Sequence, residues 1–487
     1  MKLNELIKNI NGTVLCGSTD IDITNLTIDS RKAGEGSLFV CIYGIHADGH
    51  KFIPSAFENG CRAVICERDT DNLPEGITAI RVENSREALS QIAKEFYGNP
   101  SSQFSLIGVT GTNGKTSTTY FMESVLKTLN KKTGVIGTVE IRYDGEKVPV
   151  HLATSTTPDT IELNELFRLM ADRGADDVVM EVSSHSLELK KVAGLEFEAA
   201  IFTNLTQDHL DFHGTMENYA HAKAKLFKMC KHGIVNIDDK WSDTIINAAD
   251  CPVTTFGIDN PADIRAVNVE HFMDKSTFDV DIEGKTYHFT LHVPGRFSVY
   301  NALGVIAASL ALGIAPDNIL EGINQIKGVP GRIQNVPNDK GFNVIVDYAH
   351  SPDGVENILK AVREFTKGRI ITVFGCGGDR DRTKRPIMGR LAAELGDISI
   401  LTSDNPRSEE PMDILKEIEV GVKPVTDSYE MIVDRREAIY RAVALAQPGD
   451  SVVIAGKGHE DYEIFKDKTI HFDDVEVAGE ALEALDK

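Results

Sequence analysis

Residues Ser105–Thr116 read S-L-I-G-V-T-G-T-N-G-K-T. SLIGV is a short, continuous apolar run of the kind that forms a strand buried on both faces. The polar, glycine-rich segment after it runs into a helical pattern beginning near Thr116. A loop between a strand end and a helix N-terminus presents backbone N–H groups to an anion, and Thr110, Gly111, Thr112, Asn113 and Gly114 supply them here. Lys115 would reach the outer phosphates of a nucleotide, and the Thr116 hydroxyl could ligate Mg²⁺. The strict G-x-x-x-x-G-K-[ST] pattern fails, because Val109 stands at its first glycine, with Gly108 and Gly111 to either side. The bland alternative is a glycine-rich turn before a helix.

Working outward, TGVIGTV, DVVMEV, AAIFTNL and GIVNI also read as buried strands, most of them separated by helical patterns. That alternation predicts a parallel sheet with helices on its faces. FDVDIEGKTYHFTL reads as an added hairpin turning at Glu283-Gly284. Breaks at YGNPSSQ (97–103) and KGVPGR (327–332) divide the chain into regions 1–102, 103–330 and 331–487. In the last region NVIVDYAH, RIITVFGCGGD, ISILTSDNPR and SVVIAGKGHE each run from a strand into a polar segment containing Gly or Pro. Ligands bind outside the carboxyl ends of strands in open parallel sheets. The candidate pocket there comprises Asp347 and His350, Arg380 and Asp381, Asp404 to Arg407, and Lys457 to Glu460.

The 487 residues suffice for about three domains. Hydrophobic content of 41% and charged content of 26% are ordinary for a globular protein. Fifty-one basic against 74 acidic residues give a net charge of -23, which disfavours nucleic acid and anionic membrane as partners. The longest apolar stretch, Val305 to Ala315, is interrupted by Ser309 and too short to span a bilayer. No signal-peptide pattern opens the chain, and seven cysteines without a CxxC pair suit a reducing compartment. A cytoplasmic protein is expected, and a monomer.

Further groups gather at predicted strand ends in the middle region. Glu181 closes DVVMEV, and a carboxylate buried beside a phosphate loop needs a partner. Asp208, His209, Asp211 and His213 follow the next strand, although Mg²⁺ rarely takes histidine and a lone loop histidine is more often a hydrogen-bonding side chain. YAHAKAKLF (219–227) reads as a short amphipathic helix with Thr215 as N-cap and Gly233 as its stop. Lys223 falls on the apolar stripe of Tyr219, Leu226, Phe227 and Cys230. Three readings stand: a snorkelling side chain, a phosphate-binding amine, or an amine converted by CO₂ to a carbamate that could hold Mg²⁺.

Taken together, LTIDSR, LFVCIYGIHADGH, GTNGKT, TSTTP, EVSSH, FTNLTQDHLDFHG, YAHAK, GRFSVYNALGVIA, GVPGR, DYAHSPD, FGCGGDRDRTKRP, SDNPR and AGKGHE resemble, in this order and over essentially the whole chain, the Mur ligase family. The resemblance implies a three-domain α/β architecture. Its central domain is a P-loop ATPase with a parallel sheet, its C-terminal domain is Rossmann-like, and its N-terminal domain binds a UDP-sugar. It further implies ATP and Mg²⁺ as cofactors. Lys115, Glu181, His209 and Lys223 are the implied catalytic positions, and Thr116, Glu181, His209 and carbamylated Lys223 the metal-holding ones. Asn301 matches the adenine-contacting asparagine, Arg332 the arginine that crosses to the phosphates, and Asp347 the carboxylate near the ribose.

Within the family the motifs are most similar to those of the ligases that add the third peptide residue to a peptidoglycan precursor. The implied substrates are UDP-MurNAc-L-Ala-D-Glu and meso-diaminopimelate. Ser30, Ile45, His46 and Ala47 match the uridine-diphosphate positions. Thr156, Thr157, Ser183 and Lys191 match those contacting the muramoyl-dipeptide, and Lys191 stands where the family often has arginine. For hydroxyl residues the competing role is capping and turn formation. SDNPR matches the diaminopimelate signature. That side chain ends in a zwitterion, so guanidinium groups (Arg407, Arg380) suit its carboxylate, and Asp404, Glu460 and the Gly456 carbonyl suit its ammonium. Asn405 could serve either way, Pro406 matches a further diaminopimelate-binding position, and the competing reading of DNPR is an Asx-Pro turn. Lysine-adding relatives lack the arginine. Two rivals remain: a ligase of the same fold for L-lysine or a folate-type acceptor, and a P-loop NTPase acting as a regulator.

Overall fold

The computed structural model describes residues 1–44, 47–69, 73–150, 156–272 and 274–486. Among the described residues the chain forms three main sheets and a two-stranded ribbon. The first has the order Gly12–Cys16, Thr78–Val82, Ala63–Cys66, Ser37–Val40, Asn25–Thr27, parallel except for its first strand. Ser37–Val40 and Ala63–Cys66 are buried at every position, as strands covered on both faces must be.

The second sheet has a parallel centre: Val253–Gly257, Cys230–Asn236, Phe197–Phe202, Ser105–Thr110, Asp177–Glu181, Thr133–Ile136. The strand that opens the phosphate loop therefore lies inside the sheet, with its carboxyl end beside that of the Glu181 strand. Helices Lys115–Lys127, Arg296–Ala311 and Pro316–Asn324 cover one face around Ile107, Phe121, Ile201 and Leu303. Thr160–Asp172 and Met216–Ala224 cover the other around Leu106, Phe167, Met180 and Phe227. At the sheet edge the expected hairpin pairs Ser276–Ile282 with Lys285–Leu291, its turn made by Glu283 (φ 53°) and Gly284 (φ 80°). Side chains of Ser276–Ile282 alternate between buried and more exposed, the period-two pattern of an edge with one wet face.

One expectation fails here. The helix carrying Lys223 starts as predicted, with the Thr215 hydroxyl accepting from the Asn218 amide, but it ends at Ala224. A 3₁₀ turn, Lys225–Lys228, follows, and Cys230–Asn236 is a strand. Gly233 is thus not a helix stop but a strand residue, where an added Cβ would stand 3.1 Å from the Phe227 ring. Cys230 leaves the helical stripe for the same reason.

The third sheet runs Gln334–Asn335, Asn343–Asp347, Ser451–Ala455, Ile370–Phe374, Ile398–Leu401, Tyr429–Met431, parallel from the second strand onward. Its strands end on one edge, as the sequence predicts. Two helices begin beneath that edge: Arg435–Leu445 and Asp474–Ala484. Their first residues form a pair with no side-chain exposure, Arg435 Nε and Nη2 donating to the two Asp474 oxygens at 2.8 and 2.7 Å. The same guanidinium donates to the carbonyls of Ser403 and Ala455, both at 3.1 Å. These carbonyls immediately precede Asp404 and Gly456, so one arginine fixes two adjacent strand ends. Among the described residues no helix is long and apolar enough to cross a membrane.

Removing one member of a buried pair strands the other. Arg435→Ala is expected to destabilise the C-terminal sheet by about 3–5 kcal/mol. Urea unfolding followed by a probe in that region checks this, and an unchanged midpoint would remove the pair from the fold's supports.

Candidate active site

The phosphate loop is held from behind by the end of the neighbouring strand. Thr203 Oγ1 donates to the Asn113 carbonyl at 2.6 Å, and the Asn204 side chain accepts from the Asn113 amide at 2.9 Å and donates to its carbonyl at 3.1 Å. A Cβ on Gly111 would lie 1.9 Å from Thr203 Oγ1. Gly114, at φ 86°, is the N-cap of Lys115–Lys127, and a Cβ there would meet Asn301 Oδ1 at 2.3 Å. The loop can only be this close to its neighbours with glycine at these points.

Two lysines converge on the loop. Lys115 Nζ donates to the carbonyls of Gly111 at 3.0 Å and Thr112 at 2.9 Å. Lys223 Nζ donates to the same Gly111 oxygen at 2.8 Å. Its side chain is 1% exposed, so it does not snorkel. Burial, reinforced by the charge of Lys115, holds its amine well below the usual lysine range. Burial likewise lowers Lys115.

Glu181 ends its strand facing this loop. Its carboxylate accepts from Thr116 Oγ1 at 2.9 Å, from the Thr138 amide at 2.9 Å and from Thr138 Oγ1 at 3.0 Å. Thr116 and Glu181 thereby form a buried pair of hard oxygen donors, the type Mg²⁺ takes. His209 is half-exposed and in the left-handed conformation (φ 52°), with Nε2 3.4 Å from Asp208, its ring 4.7 Å from that of His185, and Lys115 and Lys223 near enough to act on it. Burial lowers its pKa despite Asp208. Among the described residues no group of three His, Cys, Asp or Glu side chains is disposed to hold a metal. A set built from these residues needs the oxygen of Thr116 and oxygens that Lys223 carries only as a carbamate.

Asn301 is buried in the helix Arg296–Ala311 beside Gly114, and its Nδ2 has no partner, an unspent donor beside the loop. Arg332 lies over the Tyr348 ring at 4.9 Å, and its Nε is also unpartnered. Asp347 is engaged by backbone, accepting from the amides of Ile333 and Ala349 at 2.9 Å each, and burial raises its pKa. His350 Nδ1 lies 2.8 Å from the Tyr348 carbonyl. Asp353, in the first turn of Pro352–Phe365, accepts from Asn113 Nδ2 at 3.0 Å and Thr206 Oγ1 at 3.1 Å. The helix that follows the third sheet's Asn343–Asp347 strand thus touches the phosphate loop directly.

On the N-terminal side, Ser30 is buried in a 3₁₀ turn with its carbonyl accepting from Asn59 Nδ2, and Ala47 is exposed. Ile45 and His46 lie outside the described residues. Thr156 Oγ1 lies 3.1 Å from Thr138 Oγ1, which joins it to the Glu181 cluster. Thr157 Oγ1 donates to the Glu181 carbonyl at 2.9 Å. Ser183 caps the helix Ser184–Glu188, so the capping role does apply to it. Lys191 pairs with Asp159 at 2.5 Å.

The C-terminal pocket is assembled from three strand ends. Arg407, at φ 53°, donates through Nη1 to the carbonyls of Gly378 at 2.9 Å and Asn405 at 3.3 Å. Gly377 lies between Arg407 and Arg380: a Cβ on it would stand 2.8 Å from Arg407 Nη1 and 3.7 Å from Arg380 Cγ. Asp404 approaches Gly456, whose Cβ position is 2.8 Å from Asp404 Oδ2. Asn405 is engaged at both ends of its amide. Its Oδ1 accepts from the Ile464 amide at 2.9 Å and Lys457 Nζ at 3.3 Å, and its Nδ2 donates to Glu460 at 2.9 Å. Burial and the neighbouring Asp404 raise the Glu460 pKa, against Lys457.

Sequence reasoning missed Thr138, Thr203, Asn204 and Asp353 as parts of this site. Each lies within a segment singled out above, but its role arises from tertiary approach, which no local spacing encodes.

Three family models match the chain: the Mur ligase family catalytic domain over residues 22–97, the Mur ligase middle domain over 109–309, and the Mur ligase glutamate ligase domain over 331–458. The chain is 47% identical over 487 residues to UDP-N-acetylmuramoyl-L-alanyl-D-glutamate–2,6-diaminopimelate ligase 1 of Clostridium acetobutylicum, with 100% of both chains covered. It is 47% identical over 489 residues to the corresponding ligase of Clostridium tetani, again with 100% of both covered. A solved UDP-N-acetylmuramoyl-L-alanyl-D-glutamate–2,6-diaminopimelate ligase superposes with a TM-score of 0.72 at 30% identity, covering 100% of this chain and 99% of its own. The MurF ligase of Thermotoga maritima in complex with ADP shares the fold, with a TM-score of 0.60 at 19% identity over 95% of this chain and 98% of its own. With all three domain models matched in order and full-length identity at this level, the chain belongs to the Mur ligase family.

Proposed function

We propose that this protein is an ATP-dependent ligase that joins meso-2,6-diaminopimelate to the D-glutamate of UDP-MurNAc-L-Ala-D-Glu, in the synthesis of peptidoglycan precursor. The observation that carries this reading is the pocket at the third sheet's edge. There Arg407 stands beside Asp404 and Glu460, a cation and two anions matched to a zwitterionic side-chain end. The activity named for the relatives at 47% identity supports it. A lysine substrate would leave Arg407 without its carboxylate.

We assign UDP-sugar binding to residues 1–102, ATP binding to 103–330 and amino-acid binding to 331–487. The γ-carboxylate of the D-glutamate takes the γ-phosphoryl group of ATP, and ADP leaves. The resulting acyl phosphate is attacked by the amine of diaminopimelate, and phosphate departs from the tetrahedral adduct. Lys115, the loop amides 111–116 and Arg332 neutralise charge on the transferring phosphoryl group. Asn301 Nδ2 is free to donate to the base. Lys191, Thr156, Thr157 and Ser183 orient the dipeptide, and Ser30, Ile45, His46 and Ala47 hold the uridine diphosphate. Arg380 and Arg407 hold the distal carboxylate of diaminopimelate, and Asp404, Glu460 and the Gly456 carbonyl hold its ammonium. Thr116, Glu181, His209 and Lys223 as its carbamate would hold Mg²⁺, which when bound supplies further neutralisation of the phosphoryl oxygens. The depressed basicity of Lys223 supplies the neutral amine that carbamylation requires. Seven free cysteines, with Cys230 and Cys251 sulfurs unbonded at 3.4 Å, fit a reducing cytoplasm.

The deciding experiment supplies ATP, Mg²⁺ and UDP-MurNAc-L-Ala-D-Glu, with meso-diaminopimelate or L-lysine in parallel, and reads phosphate release and tripeptide mass. Turnover with diaminopimelate alone is expected; turnover with lysine would overturn the specificity, and phosphate release without tripeptide would favour an NTPase. Lys223→Ala is expected to lose ligation and to regain part of it when a short-chain carboxylate is added. Full activity in this variant without rescue would sink the carbamate. Arg407→Ala should raise the KM for diaminopimelate about 10- to 150-fold, the equivalent of a lost charge-assisted contact of about 1.5–3 kcal/mol. An unchanged KM removes Arg407 from the site.

A further inference from the structure

Lys457 has no assigned part in the reaction. Its side chain is 0% exposed, which is rare for a lysine without a specific partner. Nζ lies 3.3 Å from Asn405 Oδ1, 3.7 Å from Glu460 Oε2 and 3.8 Å from Asp404 Oδ1, and 5.5 Å from the centre of the Tyr462 ring. A single ammonium therefore stands between the two carboxylates read above as the receptor for the substrate's ammonium, and donates to the amide that hydrogen-bonds one of them.

We propose that Lys457 is the positioning residue of the diaminopimelate site: an internal cation set between Asp404 and Glu460 that holds both carboxylates in place and fixes the orientation of Asn405. The proposal rests on the reading of that pocket as the amino-acid site. Lys457 is fully enclosed and spent on its three partners, so it acts through them and not on the substrate.

The chemistry follows from the charges. Two carboxylates held this close in a buried site resist joint ionisation, and one takes a proton unless a cation lies between them. A protonated Glu460 would no longer accept freely from an ammonium group. Lys457, 3.7 Å from Glu460, opposes that protonation, and Asp404 and Glu460 in turn oppose the lowering that burial imposes on Lys457. Asn405 shows the second effect. Its Oδ1 takes the Lys457 proton and the Ile464 amide, which turns Nδ2 toward Glu460 and holds that carboxylate in place.

Among the other charges around Glu460, Arg407 acts in the same direction as Lys457 but less strongly, from its anchorage on the carbonyls of Gly378 and Asn405. Arg435, beneath the strand ends, is neutralised by Asp474. Glu463, buried on the strand Tyr462–Ile464, adds negative charge to the same region. Tyr348 and Tyr462 face the site uncharged, their pKa values raised by burial and then by Glu460.

The test is Lys457→Met in the full-length enzyme, assayed for ligation with diaminopimelate across a pH series. The KM for diaminopimelate should rise about tenfold or more, the scale of a lost charge-assisted contact, with KM for ATP unchanged. The acidic limb of kcat/KM for diaminopimelate should move to higher pH by about one unit or more, because a carboxylate that loses a neighbouring cation becomes harder to ionise. Lys457→Gln keeps the hydrogen bond to Asn405 and drops the charge, so it should restore stability but not the pH limb. A folded Lys457→Met or Lys457→Gln with the wild-type KM and the wild-type limb would overturn the proposal. If neither folds while Lys457→Met/Glu460→Gln does, Lys457 serves stability alone and the proposal also falls. A wild-type enzyme that does not ligate diaminopimelate would instead sink the reading of the pocket, so the two failures are distinguishable.

Discussion

Two ammonium groups, those of Lys115 and Lys223, donate to one carbonyl oxygen, that of Gly111. Like charges a few ångströms apart repel by roughly 3–4 kcal/mol at an effective dielectric near 20. The chain as a whole carries a charge of -23, so this point inverts the sign of its surroundings. The repulsion is relieved in two ways: Lys223 gives up its proton, as its burial favours, or an anion enters. The second suits a site for phosphates, and the first makes the neutral amine of Lys223 available to CO₂. The parallel sheet makes the arrangement possible. It aligns the carboxyl ends of three neighbouring strands, so that the loop of one, the carboxylate of the second and the Thr203–Asn204 brace of the third meet without any of them leaving its strand end.

The same loop is where the sheets communicate. Asn113 is held by Asn204 through its backbone and by Asp353 through its side chain. Asp353 opens the helix that follows the Asp347 strand, and Arg332 lies over Tyr348 on the way out of that strand. The loop therefore has the end of the second sheet on one side and, through Asp353, the helix that follows the Asp347 strand on the other.

Much of this was legible beforehand because it is local. Buried parallel strands are short runs with no alternation, and each here is followed by the polar segment that its strand end requires. The phosphate loop announces itself through Gly-Lys-Thr despite Val109 in place of the first glycine. What stayed hidden depends on approach between distant segments. Thr138 is an ordinary strand-end threonine until the Glu181 strand lies beside it. Lys223 had three readings because a helical wheel shows which face is apolar and not what the face meets. Gly233 carries two readings in the sequence, a helix stop and the first residue of the strand GIVNI, and only the second holds, because the strand already begins at Cys230. Asn405 is ambivalent in the sequence because an amide has two ends, and only tertiary partners, here Ile464 and Lys457 at one end and Glu460 at the other, decide how each is used.

The buried charges of the third sheet set a different kind of limit. Arg435 with Asp474, and Lys457 with Asp404 and Glu460, are enclosed ions where apolar residues of similar volume would stabilise the fold at least as well. Stability therefore does not account for them. A zwitterion offers a carboxylate and an ammonium on one carbon, and a site for it must hold both signs of charge close together without letting them collapse onto each other. On the proposed reading of the pocket, Arg407 tethered by its backbone carbonyl contacts, and the two carboxylates bridged by Lys457, meet that requirement, because each charge already has protein partners. The Arg435 clamp then has a clear purpose, because it fixes the Ser403 and Ala455 carbonyls and so the two strand ends on which Asp404 and Gly456 are mounted. Preorganisation of this kind lowers the ordering cost of binding and is reached only by burying the ions that enforce it.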